Sequence, residues 1–325
     1  APLKTIVERT APEFSPEQTE RALDSMFMKG AIAWKEKAGA GHWWIMPLVV
    51  GMYEAQDGNL TRAFLSDAGA YMKTLNFGKA FLAVKPSQMR TVPINKSIPV
   101  DHPIATYDQI RAIIRDSSGP FVALKCICRE AKALRKQPCT QTSRLETCLA
   151  LGDAAGMMLR RNHGRKVPRD EALAILQQSE DDGLVLQPAN SRQPEFVCSC
   201  CGCCCGMLAF QKLLPHPIDF WTTSFQAEVA RELCEHCGRC VARCQVKGVA
   251  LTGPAGKAAV NLSRCIGCGL CVPTCAFNAI RLTRRVPDKA PPRDLEALYD
   301  EVMANKKGAL GQLCLLLKTA MGMRL

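Results

Sequence analysis

Apolar positions recur with helical or strand spacing along most of the chain, and Gly, Pro and capping residues punctuate them. Ser15, Pro16 and Gln18 have the form of a helix N-cap, a first-turn proline and a capping-box partner. Ala22, Leu23, Met26 and Phe27 then fall on one stripe of a helix that Gly30 ends. Residues 31–34 and 42–46 read as strands joined by a Gly-rich turn around Gly39 and Gly41, a hairpin signal. Beyond a helical stretch, residues 91–95 read as a short strand, and Thr106 with Gln109 as a capping box opening a helix over 107–116. Gly119-Pro120 breaks the chain ahead of an apolar run over 121–124, a buried strand that delivers Cys126 and Cys128. A helix is predicted over 170–179 with Ala172, Leu173, Ile175 and Leu176 on its core face, and Asp182-Gly183 turns it into a strand over 184–186. Pro287, Pro291 and Pro292 open a tail with helices expected over 294–304 and around 313–318.

With 47% hydrophobic and 22% charged residues among 325, the chain has the make-up of a folded protein, long enough for more than one core. Its opening, APLKTIVERTAPE, lacks the apolar stretch of a signal peptide. The longest uncharged apolar run, 38–53, is too short for a membrane span and contains His42 and Pro47. The 19 cysteines change this ordinary picture. In a reducing cytoplasm, the compartment expected here, so many thiols point to metal or redox centres rather than disulfides.

Their placement divides the chain: none before Cys126, four over 126–148, six over 198–205, eight over 234–275, and Cys314 alone. The expected organisation is a multidomain α+β protein. It comprises an N-terminal module over 1–60, a helical connector over 61–120, a cysteine-rich domain over 121–227, a compact cluster domain over 228–285 and a tail with docking helices over 286–325. The first module, a helix followed by a two-stranded wing, resembles a winged helix, a fold that often binds DNA. Its helix carries Glu17, Glu20 and Asp24 against Arg21 and Lys29, the wrong charge for reaching phosphates and base edges. Nucleic acid is therefore a disfavoured partner, though it stays open.

Cys234-x2-Cys237-x2-Cys240-x3-Cys244 recurs as Cys265-x2-Cys268-x2-Cys271-x3-Cys275. This spacing lets three thiolates of one tight loop grip three irons of a cubane. Gly238, Gly267 and Gly269 let backbone amides approach the sulfides. Zinc sites use ligands in two pairs, not two runs of four. The doubling resembles a bacterial two-cluster ferredoxin, whose halves exchange their last ligands. That resemblance implies one [4Fe-4S] cluster on Cys234, Cys237, Cys240 and Cys275, and another on Cys265, Cys268, Cys271 and Cys244. Gln245 and Ala276 stand where the family places proline after the fourth cysteine.

The middle cysteines are Cys126, Cys128, Cys139, Cys148, Cys198, Cys200, Cys201, Cys203, Cys204 and Cys205. The arrangement CICR, two further cysteines and CSCCGCCCG resembles a group of anaerobic bacterial iron–sulfur binding proteins that carry it ahead of a two-cluster ferredoxin domain. Ten neighbouring thiols suit one or two more iron–sulfur clusters, with zinc or a redox-active thiol pair as the other options. Adjacent cysteines are expected to serve different metals, because successive side chains diverge. Arg129, Lys132 and Arg135 share a helix face and are expected to offset cluster charge. Cys314 reads as a core residue, and His236, inside the first cluster loop, as a solvated side chain or a hydrogen-bonding neighbour of the cluster. His42, His102, His163 and His216 carry no supporting spacing.

The formal charge of +12 falls to roughly +8 once two clusters with four thiolates each are counted. Residues 231–285 hold nine Lys/Arg against Glu232 and Glu235, countercharge for anionic cofactors and an attraction for an acidic partner. No nucleotide fingerprint is present, so electrons are expected to enter and leave through protein partners, flavoproteins or other iron–sulfur subunits. The expected role is electron transfer as a ferredoxin-like subunit. The alternatives are a redox-sensing DNA-binding regulator and an oxidoreductase with its catalytic site at the cysteine-rich centre.

Overall fold

The computed structural model describes residues 1–98, 105–253, 255–285 and 289–323; His102 and Pro287 lie outside the described residues. Two helices, α1 (Leu3–Thr10) and α2 (Pro16–Met28), lead into a hairpin of β1 (Ile32–Lys37) and β2 (Ala40–Ile45). The capping box forms: Ser15 Oγ accepts from the Gln18 N–H, and Gln18 Oε1 accepts from the Ser15 N–H. The inward stripe of α2 is Thr19, Leu23 and Phe27, while Ala22 and Met26 are exposed. A hydroxyl contact of 2.9 Å between Thr10 and Thr19 draws position 19 inward and rotates the stripe away from the expected one. The hairpin turns on Ala38 and Gly39, both at positive φ, which matches strand twist; Gly41 lies inside β2.

Next come α3 (Arg62–Met72), α4 (Leu75–Leu82) and β3 (Arg90–Thr91). Of the strand expected over 91–95 only this stub pairs, because Pro93 has no N–H to continue a ladder. Val92 and Ile94 donate instead to the carbonyls of Leu186 and Cys268, at 3.2 and 3.0 Å. The helix expected from Tyr107 begins later, as α5 (Ile110–Asp116), and Thr106 caps nothing. Asp108 is drawn inward to the guanidinium of Arg90, so residues 106–108 form a tighter turn.

The middle of the chain alternates β4 (Phe121–Lys125), α6 (Ile127–Leu134), β5 (Glu146–Leu151), α7 (Gly152–Arg160), β6 (Arg165–Val167), α8 (Arg169–Asp181), β7 (Val185–Pro188) and β8 (Phe196–Cys200). The strands form one antiparallel sheet in the order β6-β4-β5-β8-β7. Strand alternation gives it two unlike faces. Phe121, Ala123, Leu149, Leu151 and Val197 join Ile113, Ile114, Ile175 and Leu176 of α5 and α8 in the main core. On the opposite parity, Cys148, Phe196, Cys198 and Cys200 line a cavity.

The rest comprises α9 (Gly206–Leu213), β9 (Thr222–Thr223), β10 (Phe225–Val229), α10 (Arg239–Arg243), β11 (Val249–Thr252), β12 (Lys257–Val260), β13 (Ile280–Arg284), α11 (Leu295–Ala304) and α12 (Ala309–Ala320). β10 pairs with β13 and β11 with β12, both antiparallel, while β9 pairs in parallel with β3. Helices and strands mix in the α+β manner. Cys314 is exposed, not core, because α12 turns Leu315 inward. The N-terminal helices and hairpin dock on α7: the Arg160 guanidinium lies 4.0 Å from the Trp34 ring centroid and pairs with Asp24 at 2.8 Å. Among the described residues no helix is long and apolar enough to cross a membrane.

Candidate metal centres

All 19 cysteines are unpaired thiols, and 18 of them gather into groups. Cys234, Cys237, Cys240 and Cys275 line one small cavity, so the last cysteine of the second motif reaches the first loop. Cys244 in turn acts electrostatically on Cys268 and Cys271 beside Cys265, the crossed arrangement in the other direction. Backbone amides point at the sulfurs: Ala258 at Cys234 (3.3 Å), Ala227 at Cys265 (3.3 Å) and Gly248 at Cys244 (3.1 Å). The Ala258 and His236 amides hold the Cys234 thiol below its ordinary range. The His236 ring itself turns to the Ala255 carbonyl at 2.7 Å, so this residue acts through its backbone. Gly267 sits at positive φ against the Phe225 carbonyl, where a Cβ would collide.

The middle cysteines divide six and four. Cys126, Cys128, Cys205, Cys200, Cys198 and Cys148 form a closed ring in which each thiol interacts with two others. They come from the N-terminus of α6, from β5, from β8 and from the turn before α9. Contacts from Cys126 and Cys198 push the Cys148 thiol well down, while Cys148 pushes Cys198 up and Cys198 pushes Cys200 up. The ring opens into a cavity of about 560 Å³, within the range of small-molecule sites. Trp43 and Met46 of the hairpin region, Met157 of α7 and Tyr299 of α11 give it a largely apolar wall. Glu54 and Glu195 also line it, and burial pushes both carboxyls up to about 7. No sequence signal marked this cavity, because its wall is assembled from segments far apart in the chain.

Cys139, Cys201, Cys203 and Cys204 make the second group, with all four sulfurs within 4.8 Å of one another. Here two adjacent cysteines do converge, against expectation. Residues 202–204 form a turn closed by the Cys205 N–H on the Cys201 carbonyl at 3.0 Å, and in a turn successive side chains need not diverge. Cys200 and Cys201 part as expected, one to each group. Burial opposes ionisation of Cys203, but bonds from Thr140, Cys201 and Cys139 hold it down to about 6. Between the groups lies Arg129, only 2% exposed. Burial disfavours its charge, yet Cys126, Cys201, Cys139 and Cys148 more than offset that and raise its pKa. Lys132 and Arg135 do not share this role: they donate to Gln137 and to the Leu65 carbonyl.

The ferredoxin-like segment and the sheet meet closely. Cys244 and Cys268 pack against the same core as Cys198, Cys200 and Cys205. Gln245, noted in the sequence as a missing proline, accepts from the Gly202 N–H at 2.8 Å and donates to Gln141 at 3.0 Å. Residues 227–276 match the family described as the 4Fe-4S dicluster domain. No curated protein and no solved structure matches the chain. With that match and the grouped cysteines, the protein is an iron–sulfur protein carrying [4Fe-4S] clusters.

Proposed function

We propose that the protein transfers electrons through three linked iron–sulfur sites, as a ferredoxin-like subunit or partner of an oxidoreductase. Cys234, Cys237, Cys240 and Cys275 hold the first cubane, and Cys265, Cys268, Cys271 and Cys244 the second. The six-thiol ring holds a third, polynuclear cluster, because six thiolates exceed what one metal ion takes. The observation that carries this reading is the shared core: second-cubane cysteines Cys244 and Cys268 and ring cysteines Cys198, Cys200 and Cys205 border or join one continuous buried core. At the other end Cys237, Leu251 and Phe277 are exposed beside the first cubane, in a segment rich in Lys and Arg. That surface suits an acidic redox partner, a flavoprotein or another iron–sulfur subunit. Unpaired thiols throughout suit a reducing compartment such as the cytoplasm. The test is EPR of the anaerobic protein during stepwise dithionite reduction. Beyond the mutual broadening of the two reduced cubanes, a further signal or added broadening should appear as the third centre becomes paramagnetic, and Cys148→Ser should abolish that addition alone. Signals identical in the wild type and Cys148→Ser at every potential would count against the third site.

A second reading, an oxidoreductase acting at the ring, is favoured by the cavity, which brings an apolar space and two carboxyls to the thiols. It expects viologen-dependent reduction of some small apolar compound by the wild type, lost in Cys148→Ser while ferredoxin signals persist. The DNA-binding regulator has less support: Asp24 on α2 is tied to Arg160, and hairpin residues Lys35 and Lys37 face Glu296 at 3.8 and 3.6 Å.

A further inference from the structure

The four sulfurs of Cys139, Cys201, Cys203 and Cys204 stand closer together than thiolates on a cubane do. Cys139 Sγ lies 3.6 Å from those of Cys201 and Cys203. Cys203 Sγ lies 3.5 Å from Cys201 and 3.6 Å from Cys204. Four thiolates about 2.3 Å from one metal ion at tetrahedral angles are about 3.8 Å apart, which is nearly this spacing. In a cubane each thiolate binds a different iron, so the sulfurs are spread by the whole iron–sulfide core. The chain contains its own comparison. Among the described residues the tetrad is the one group of three or more ligand atoms this close, and the eight cysteines of the dicluster motifs form no such group.

We propose that Cys139, Cys201, Cys203 and Cys204 hold a single zinc ion in a closed four-thiolate site that fastens the ferredoxin-like segment to the cysteine-rich sheet. The ligands arrive from two loops: Cys139 after α6, and the other three from the turn between β8 and α9. Surrounding groups fix them. The Gln141 N–H donates to Cys139 Sγ at 3.4 Å, and Lys212 Nζ holds the Gly202 carbonyl at 2.7 Å. Gly202, between two ligands, packs against the Gln245 backbone where a Cβ would collide, so the turn and the cluster-loop residue Gln245 fit only in close register. The buried Arg129 guanidinium offsets the charge that four thiolates leave on a divalent ion. Zinc has no redox chemistry, so this site adds rigidity without competing for electrons.

This inference does not depend on what the six-thiol ring holds. Metal and sulfide analysis of the full chain, purified anaerobically, should give one zinc per chain in addition to iron. X-ray absorption at the zinc edge should show sulfur neighbours alone, at about 2.3 Å. Cys139→Ser and Cys203→Ser should each lower zinc while iron and sulfide stay unchanged. One sulfide-free iron lost by the same variants would support the mononuclear site and replace zinc as its ion. Loss of about four irons with their sulfides from either variant, and no zinc in the wild type, would overturn the proposal. The absorption measurement needs no variant, so a misfolding substitution leaves the test intact.

Discussion

Gln245 gives the most local test of how the two halves of the cofactor array are joined. Its side chain is 7% exposed and makes two hydrogen bonds across the junction, from the Gly202 N–H and to Gln141. Gln245→Ala removes both and leaves the half-buried Gly202 N–H without its protein acceptor. A hydrogen bond contributes about 1 kcal/mol net, and an unsatisfied buried donor costs about 1–3 kcal/mol. Because water partly replaces the acceptor at this half-buried amide, the loss at Gly202 is about 1–2 kcal/mol, and each 1.4 kcal/mol is about tenfold in an equilibrium. Amide hydrogen exchange, followed anaerobically by mass spectrometry, should show Gly202 exchanging roughly 5- to 30-fold faster in the variant. Amides of the central sheet, Val197 for example, should keep their wild-type rates. Unchanged exchange at Gly202 would refute the reasoning, because the bond would then contribute nothing to holding the loop.

Asp108 and Arg90 form an ion pair with side chains 1% and 3% exposed, so Asp108→Asn should lower unfolding free energy by about 3–5 kcal/mol, measured by urea denaturation. Glu54 should make stability depend on pH. Its carboxyl is pushed from 4.5 up to about 7, mainly by burial. Its contribution is fully present below pH ~4.5 and is lost as pH rises through about 7, a loss of about 3 kcal/mol. Melting curves should therefore show Glu54→Gln gaining on wild type as pH rises from 5 to roughly 8, and a gap independent of pH would contradict this burial effect. Arg160→Ala removes the contact with Trp34 and the pair with Asp24. It should speed proteolysis within residues 1–45 several-fold, leaving cluster spectra unaltered.

Local chemistry was the most legible part of the sequence. The Ser15–Gln18 capping box, the hairpin around Gly39, the strand ahead of Cys126 and helix α8 all follow from neighbouring residues, and all are present. The paired cysteine runs were legible for the same reason, since spacing within a single loop decides what it grips. What misled was long-range. Thr106 looked like a cap, but the pairing of Asp108 with Arg90, from another element, shortened the helix. Cys314 sits in an apolar run, yet the helix orientation is set by what Leu315 packs against. The six-and-four division of the middle cysteines was not readable either. It depends on strand parity for Cys148, Cys198 and Cys200, and on a turn that brings Cys203 and Cys204 together. Gln245 was visible only as a departure from a motif; its meaning required its partners, Gly202 and Gln141.

The central claim is a third iron–sulfur cluster on the six-thiol ring, beside the ferredoxin pair. Iron and acid-labile sulfide per chain, measured on anaerobically purified wild type and the Cys148→Ser/Cys198→Ser double variant, test it directly. The expected result is iron clearly above the roughly eight that two cubanes hold, falling to about eight in the double variant with ferredoxin signals retained. About eight irons in both proteins would contradict the account.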